Sequence, residues 1–517
     1  MSAPDHRRRQ LLQGIGAGLA LPAMGIAPAI IAAPSARPQM ADGVQSGDVT
    51  GDRALIWSRC DRPARLIVEW DTRSGFGNPR RMISPVTDAG VDFTARVDLQ
   101  GLPADQSIFY RARFEDAGGG VLSEPWLGHL RSAPKQPRDI RFVWGGDTCG
   151  QGYGINPDFG GLRIYETMRQ RRPDFFLHSG DVIYADGPIP AEVAAEEGSR
   201  WRNLVTEEKS KVAETLSEYR GNYRYNLLDE KLRAFNAEVP QIWQWDDHEV
   251  TNNWSPGTEL DGRYQVRDID TLVRRARQAY LEYAPMRQIR GDGLGRIYRK
   301  VSYGPLLEVF VLDMRSYRGP NSHNLQREQG PETAFLGQEQ LAWLKRELRA
   351  SRATWKVIAA DMPIGLHITD GPRWEGIANG NDGAALGREL EIAELLAFIQ
   401  RAQVRNTLWL TADVHYCAAH HYHPNRAAFQ QFEPFWEFVA GPLNAVASFG
   451  PSPMDGTFGP EVVFQKFAPT ANSSPRAGYQ FFGEVVIDGQ SGSLAVNLHD
   501  IHGSVVFSQA LEPWPPS

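Results

Sequence analysis

Two patterns of apolar and polar positions divide this chain. From about Gly43 to Leu130 short alternating runs, "ALIWSR", "RLIVEWD", "FTARVDL" and "IFYRARFED", are separated by the turn-forming "TGD", "SGFGNP", "GLPAD" and "DAGGG". Alternation sends successive side chains to opposite faces, so regular short strands between turns predict an all-β sandwich of about immunoglobulin size, over residues 40–135. After "RSAPKQPRD" the strands become consecutive apolar runs, "IRFVWGG", "DFFLHSG", "VPQIWQW", "LLEVFVLD", "WKVIAAD" and "NTLWLTAD". These are interleaved with helix-period segments such as "IYETMRQRR", "TLSEYRGNYRYNLLDEKLRAF" and "GQEQLAWLKRELRAS". Strands apolar on both faces and interspersed with helices predict an α/β domain, here 138–517. The last stretch, "FFGEVVIDGQSGSLAVNLHDIHGSVVFSQALE", returns to strands and is expected to complete a sheet.

With 517 residues, 42% of them apolar and 23% charged, the chain is expected to be a soluble globular protein of more than one domain. A formal charge of −7 without basic runs argues against a stable nucleic-acid partner, which would require phosphate neutralisation. Residues 1–36 depart from the rest: "RRRQLLQGIGAGLALPAMGIAPA" runs from arginines into a short Gly- and Ala-rich apolar stretch. Arg8 and Arg9 followed by Gln10-Leu11-Leu12 are similar to a twin-arginine signal, cleaved after Ala29 or shortly beyond. Pro22 and Pro28 interrupt the stretch and argue against a membrane anchor, and no later segment is long and apolar enough to span a bilayer. Export by the twin-arginine machinery to the periplasm or medium is therefore expected. Three cysteines, Cys60, Cys149 and Cys417, are too few for a disulfide framework.

The chemistry lies where the buried strands end. "FVWGGDTCG" delivers Asp147 and Cys149, "DFFLHSGDVIYADG" delivers Asp181 and Tyr184, and "LWLTADVHYC" delivers Asp413 and His415. "WDDHEVTNNW" delivers Asp246, Asp247, His248, Asn252 and Asn253, far more donors than a turn needs. Each has a bland reading: a capping Asp, a buried small Cys, a packing Tyr, a hydrogen-bonded Asp-His pair on one face of an extended segment. Four such endings in succession are another matter, because ligands bind beyond the carboxyl ends of strands and clustered carboxylates repel unless a cation holds them. A metal centre follows.

The order Asp-x-Cys, Gly-Asp-x-x-Tyr, Trp-Asp-Asp-His-Glu with Asn-Asn, and Ala-Asp-Val-His resembles the alkaline phosphatase D family of metallophosphoesterases. "GVQSGDVTGDRALIWSR", "LSEYRGNYRY", "LDMRSYRG", "LGQEQLAWLKREL" and "WKVIAADMPI" extend the resemblance over nearly the whole chain after the signal. It implies a calcineurin-like αββα sandwich preceded by a fibronectin III-like domain, with a ferric ion and calcium. A Tyr184 phenolate and Cys149 thiolate suit Fe(III), and the oxygens of Asp181, Asn252 and Asp413 suit Ca²⁺. Carried over by position, Cys149, Asp181, Tyr184 and Asp413 match the iron site, with Asp181 bridging and Asn252 serving calcium; His415 is a further candidate ligand. Asp147 departs from the Ser-Cys of many members and is either an added ligand or a hydrogen-bond acceptor. A Cys149–Cys417 disulfide is the alternative to a thiolate ligand. His248 is the candidate for polarising phosphate or protonating the leaving group, with Asp247 and His415 beside it; Arg315 and Arg318 either neutralise phosphate or form structural ion pairs. The function implied is exported hydrolysis of small-molecule phosphate esters by attack of a metal-bound hydroxide. The alternatives are a phospholipase D-like phosphodiesterase acting on lipid head groups and a non-catalytic binding protein.

Overall fold

A computed structural model describes residues 37–289, 295–447, 450 and 452–514. The expected signal over 1–36 lies outside the described residues. The apolar runs all become strands. One sheet of nine carries Ile140–Gly145, Phe175–Ser179 and Gln241–Gln244 in parallel at its centre, extended on one side by the antiparallel strands Phe481–Ile487, Leu494–Asp500 and Val505–Leu511. A second sheet of seven carries Leu307–Val311, Trp355–Ala359, Thr407–Thr411 and Phe435–Val439 in parallel.

Residue parity shows how the layers stack. Phe142, Trp144 and Leu177 of the first sheet share one core with Val309, Val311, Val357, Ala359, Leu408 and Leu410 of the second. The opposite parity in the second sheet, Phe310, Ile358 and Trp409, packs instead on Leu341 and Leu344 of helix Gln338–Ala350 and on Ile392 and Leu396 of helix Glu389–Arg401. In the first sheet Val143 and Phe176 meet Ile164 and Met168 of helix Arg163–Gln170 and Phe235 of helix Glu230–Glu238. Helix, sheet, sheet, helix is thus the order of layers, and it explains the consecutive apolar runs: each strand is buried on both faces. The long helical pattern after Thr215 forms two helices. A capping box at Thr215 starts Leu216–Asn226, and Asp229 starts the next by accepting from the backbone N–H groups of Lys231 and Leu232, both at 2.9 Å.

The N-terminal region forms seven strands in two facing sheets. Val44–Thr50, Arg53–Arg59 and Thr94–Leu99 make one; Arg80–Thr87, Ala64–Asp71, Ser107–Asp116 and Trp126–Arg131 make the other. The first of these is not a separate sheet, because Val44–Thr50 pairs in parallel with Gln241–Gln244 through Gly47 and so continues the nine-stranded sheet. A Cβ at Gly47 would lie 2.2 Å from the Pro285 carbonyl oxygen and 2.6 Å from that of Gln241, so the junction requires glycine. Tyr110 and Trp57 add side-chain bonds across it, to the carbonyls of Ala237 at 2.7 Å and Glu282 at 2.8 Å.

Candidate metal centre

The carboxyl ends of strands from both sheets open onto one place. Asp147 follows Ile140–Gly145, Asp181 and Tyr184 follow Phe175–Ser179, Asp246 to His248 follow Gln241–Gln244, and Asp413 and His415 follow Thr407–Thr411. Three overlapping sets of side chains bring their ligand atoms within 4.8 Å of one another: Asp147, Asp181 and His415; Asp181, Asp247 and His248; Asp246, Asp247 and Asp413. Asp181 belongs to two of these sets and so does Asp247, which makes the whole a continuous chain of sites. Asp147, Asp181, Asp413 and His415 all hold φ between 51° and 70°, a left-handed backbone that non-glycine residues avoid. That turn is what aims the side chains inward. At Asp147 it is fixed by the backbone N–H groups of Leu443, Asn444 and Ala445, each 3.1 Å from the Asp147 carbonyl oxygen.

The electrostatics fit cations. Burial, then the charge of neighbouring carboxylates, holds Asp147 and Asp181 well above the usual carboxylate range. Asp147 Oδ2 and Asp246 Oδ2 are buried without a hydrogen-bond partner. Buried carboxylate oxygens left without donors are costly, and a cation relieves both the desolvation and the repulsion. His415 is prepared in the same sense. Its Nδ1 donates to the Val446 carbonyl, burial lowers its pKa to about 4, and Nε2 therefore carries a lone pair toward Asp147 Oδ1 at 3.5 Å. The hydroxyl of Tyr184 lies 2.9 Å from the same nitrogen.

His248 has the opposite character. Its Nδ1 meets Asp186 Oδ1 at 2.7 Å, and although burial would lower its pKa, Asp186 and Asp247 raise it to about 9. Its ring lies 4.2 Å from that of Tyr184. Tyr184 is pressed from another side by Gly150, where a Cβ would come within 2.2–2.4 Å of the phenol ring. Glu249 is fully buried and ties two of the strand-end loops together. Its carboxylate accepts from the backbone N–H of Asp181 and of Ile183, both at 3.1 Å, and of Asp246 at 2.7 Å.

Not every expected residue arrives. Cys149 lies in the apolar cluster of Val143, Ile155, Leu162 and Phe482, belongs to none of the three sets, and has its thiol pKa pushed up by burial. The left-handed turn at Asp147 breaks the two-residue alternation that would have put Cys149 on the same side. Cys149 and Cys417 are both free thiols. Asn252 is exposed; its backbone N–H donates to Asp186 Oδ2 at 2.9 Å, and its side chain lines a cavity of about 530 Å³ with Asn253, Ser255, Arg263, Asp370 and Arg373. Arg315 and Arg318 are only 1% and 3% exposed, so the ion-pair alternative describes them. Arg315 bonds Asp246 and Glu375 and lies 3.5 Å from Asp361; Arg318 meets Glu375 at 2.9 Å. Sequence reasoning did not single out Asp186, Glu375 or Asp361, and Glu249 entered it only as the last residue of Trp-Asp-Asp-His-Glu. Only Asp361 carried the same signal as the others, a carboxylate just after an apolar strand.

Comparison with known proteins finds relatives in sequence and in fold. Alkaline phosphatase D of Bacillus subtilis (strain 168) is 27% identical over 442 residues, covering 79% of this chain and 71% of that protein. The solved structure of PhoD superposes with a TM-score of 0.69 at 21% identity, over 92% of this chain and 90% of the other. The purple acid phosphatase from yellow lupin (Lupinus luteus) seeds does so with a TM-score of 0.59 at 14% identity, over 92% and 74%. At those identities the two structures show a shared fold. Residues 25–134 match the PhoD-like phosphatase N-terminal domain and residues 142–498 the PhoD-like phosphatase family itself. With residues 142–498 matched to the family and carboxylates and imidazoles gathered at the strand ends, the chain belongs to the PhoD-like phosphatases, hydrolases of phosphoric esters.

Proposed function

We propose that this protein is an exported, metal-dependent phosphatase or phosphodiesterase, acting on small phosphate esters through iron and calcium held at the strand ends. The observation that carries the reading is the run of overlapping donor sets with unpartnered buried carboxylate oxygens. Asp147, Asp181, Tyr184 and His415 would hold the iron, a phenolate favouring Fe(III); Asp246, Asp247 and Asp413 form the oxygen-rich half that suits calcium. Cys149 is left out of this ligand set because of its apolar surroundings. Cations bound there would neutralise phosphoryl charge and activate water.

The chain's own residues supply the rest. His248, oriented by Asp186, would present a proton to the phosphoryl or leaving oxygen, while Glu249 keeps the loops of Asp181 and Asp246 at fixed separation. The cavity that Asn252 lines, Asn252 bonding the same Asp186 that orients His248, is bordered mainly by polar side chains, which suits a hydrophilic alcohol or a head group and offers an acyl chain little apolar surface. The division into a fibronectin III-type sandwich over 40–135 and a hydrolytic unit over 138–517, and the twin-arginine signal, belong to the same proposal. Among the described residues no helix is long and apolar enough to cross a membrane.

The test is metal analysis of the purified protein, followed by turnover of a monoester and a diester before and after selective calcium removal. Iron and calcium bound together, with turnover lost on calcium removal, supports the proposal. A fully active enzyme containing only zinc contradicts it.

A further inference from the structure

A lysine buried without a carboxylate is expensive, since the ammonium loses its hydration and gains no opposite charge. Lys209 is such a residue. It is 2% exposed at the end of the short helical turn Glu207–Lys209. Its Nζ donates to the backbone carbonyl of Tyr184 at 2.7 Å and to Asn222 Oδ1 at 2.8 Å, and among the described residues it forms no ion pair. Asn222 is itself held by its own amide, which donates to the Glu218 carbonyl at 2.9 Å.

Lys209 bonds to an irregular segment held from outside itself, the Asp181 and Ile183 N–H groups by Glu249 and the Val182 carbonyl by Asn226. Residues 181–187 lie in no helix or strand, so the direction of the Tyr184 side chain depends on how the flanking peptide groups are held. The Ala185 carbonyl accepts from the backbone N–H of Ala213, and the Ala185 N–H donates to the His248 carbonyl, each at 2.8 Å. The Tyr184 carbonyl accepts from the Gly187 N–H at 3.2 Å, and Lys209 gives it a shorter, charged second donor at 2.7 Å. An ammonium makes a stronger bond to it than a neutral donor does. The backbone of Lys209 is tied back in turn, its carbonyl accepting from the N–H of Ile189 at 2.8 Å.

We infer that Lys209 is a positioning residue for Tyr184: its ammonium anchors the Tyr184 peptide and so fixes the phenol oxygen beside His415 and Asp181. The inference rests on the reading of Tyr184 as an iron ligand for its spectroscopic consequence, but not for its structural one. Lys209→Met removes the donor at nearly constant volume, and Lys209→Arg keeps a cationic one. In the full chain loaded with iron and calcium, Lys209→Met is expected to shift or weaken the visible phenolate band and to lower kcat by about tenfold with KM little changed. It should also raise amide hydrogen exchange over residues 181–188 at least tenfold, with Lys209→Arg recovering part of each change. Wild-type exchange over that segment together with a wild-type band, whatever happens to Tm, overturns the inference. Tyr184→Phe is measured alongside. If it leaves the band unchanged, the iron–phenolate reading fails, and the exchange measurement alone decides the role of Lys209.

Discussion

His248 and Asp186 form a buried pair at 2.7 Å beside the candidate ligands, and the second carboxylate oxygen of Asp186 is engaged by the backbone of Asn252. If His248 delivers a proton, His248→Ala should lower kcat by about 10²- to 10⁴-fold with metals retained. The loss should be much smaller for an ester with a very acidic leaving alcohol than for an alkyl phosphate. Equal losses on the two substrates would leave only phosphate positioning. Gly150→Ala tests the other neighbour of the site. A Cβ there falls within 2.2–2.4 Å of the Tyr184 ring, so the ring or the loop must move. The expected result is a loss of about 1–3 kcal/mol of stability with a displaced or missing visible band, followed by thermal melting and absorption. An unshifted band at wild-type Tm would show that the packing around Tyr184 is looser than the structure gives.

At the scale of elements, the site is made by loops that leave strands and are then tied to one another. Glu249 serves three backbone N–H groups across two such loops. Glu249→Ala would leave all three buried donors unmatched, at about 1–3 kcal/mol each. Metal content and Tm are therefore expected to fall together; full occupancy at unchanged Tm would deny it this role. The same elements show what the sequence could tell. Consecutive apolar runs identified the central strands of both sheets because each is buried on both faces, and the carboxylates just past those runs, Asp147, Asp181, Asp247 and Asp413, are among the side chains the structure gathers. Alternation failed beyond the strand ends, where the backbone is no longer extended. Asp413 and His415 do reach the same site, as expected, but through two left-handed residues rather than one extended face. Cys149 was misplaced by the same turn geometry at Asp147. Asp186 and Glu375 read as loop acids, because partners such as His248 and Arg315 are set by tertiary packing. The burial of Arg315 and Arg318 was equally invisible, since an arginine after a strand reads alike whether it faces solvent or a ring of carboxylates.

At the scale of the whole molecule the N-terminal strands and the region that follows share one sheet. The pairing of Gly47 with Gln241 joins segments far apart in sequence, and nothing in either strand announces the other. Removing residues 37–135 should therefore bare one side of Gln241–Gln244 and yield insoluble or unfolded protein, assessed by solubility and circular dichroism. A soluble, cooperatively melting 138–517 fragment would show that the sheet does not need its continuation. Acid stability has a local origin at the far side of the same sheet. Glu484 is fully buried against Arg171 at 2.9 Å and His499 at 3.3 Å. Burial alone would raise its pKa, but His499 and Arg171 lower it to about 2. A depressed carboxylate stabilises the fold above its unfolded value and loses that contribution as pH falls from about 4.5 toward 2. Glu484→Gln should accordingly cost on the order of 2 kcal/mol near neutrality, with the difference in Tm from wild type shrinking below pH 4.5. A difference independent of pH would remove the ion pairs as its cause.

The metal centre is tested most directly by anomalous scattering from crystals of the active enzyme, recorded on both sides of the iron absorption edge. The expected map shows an iron peak enclosed by Asp147, Asp181, Tyr184 and His415, and a second peak without an iron edge beside Asp246, Asp247 and Asp413. Iron ligated by Cys149, or active crystals with no anomalous peak among these carboxylates, would contradict it.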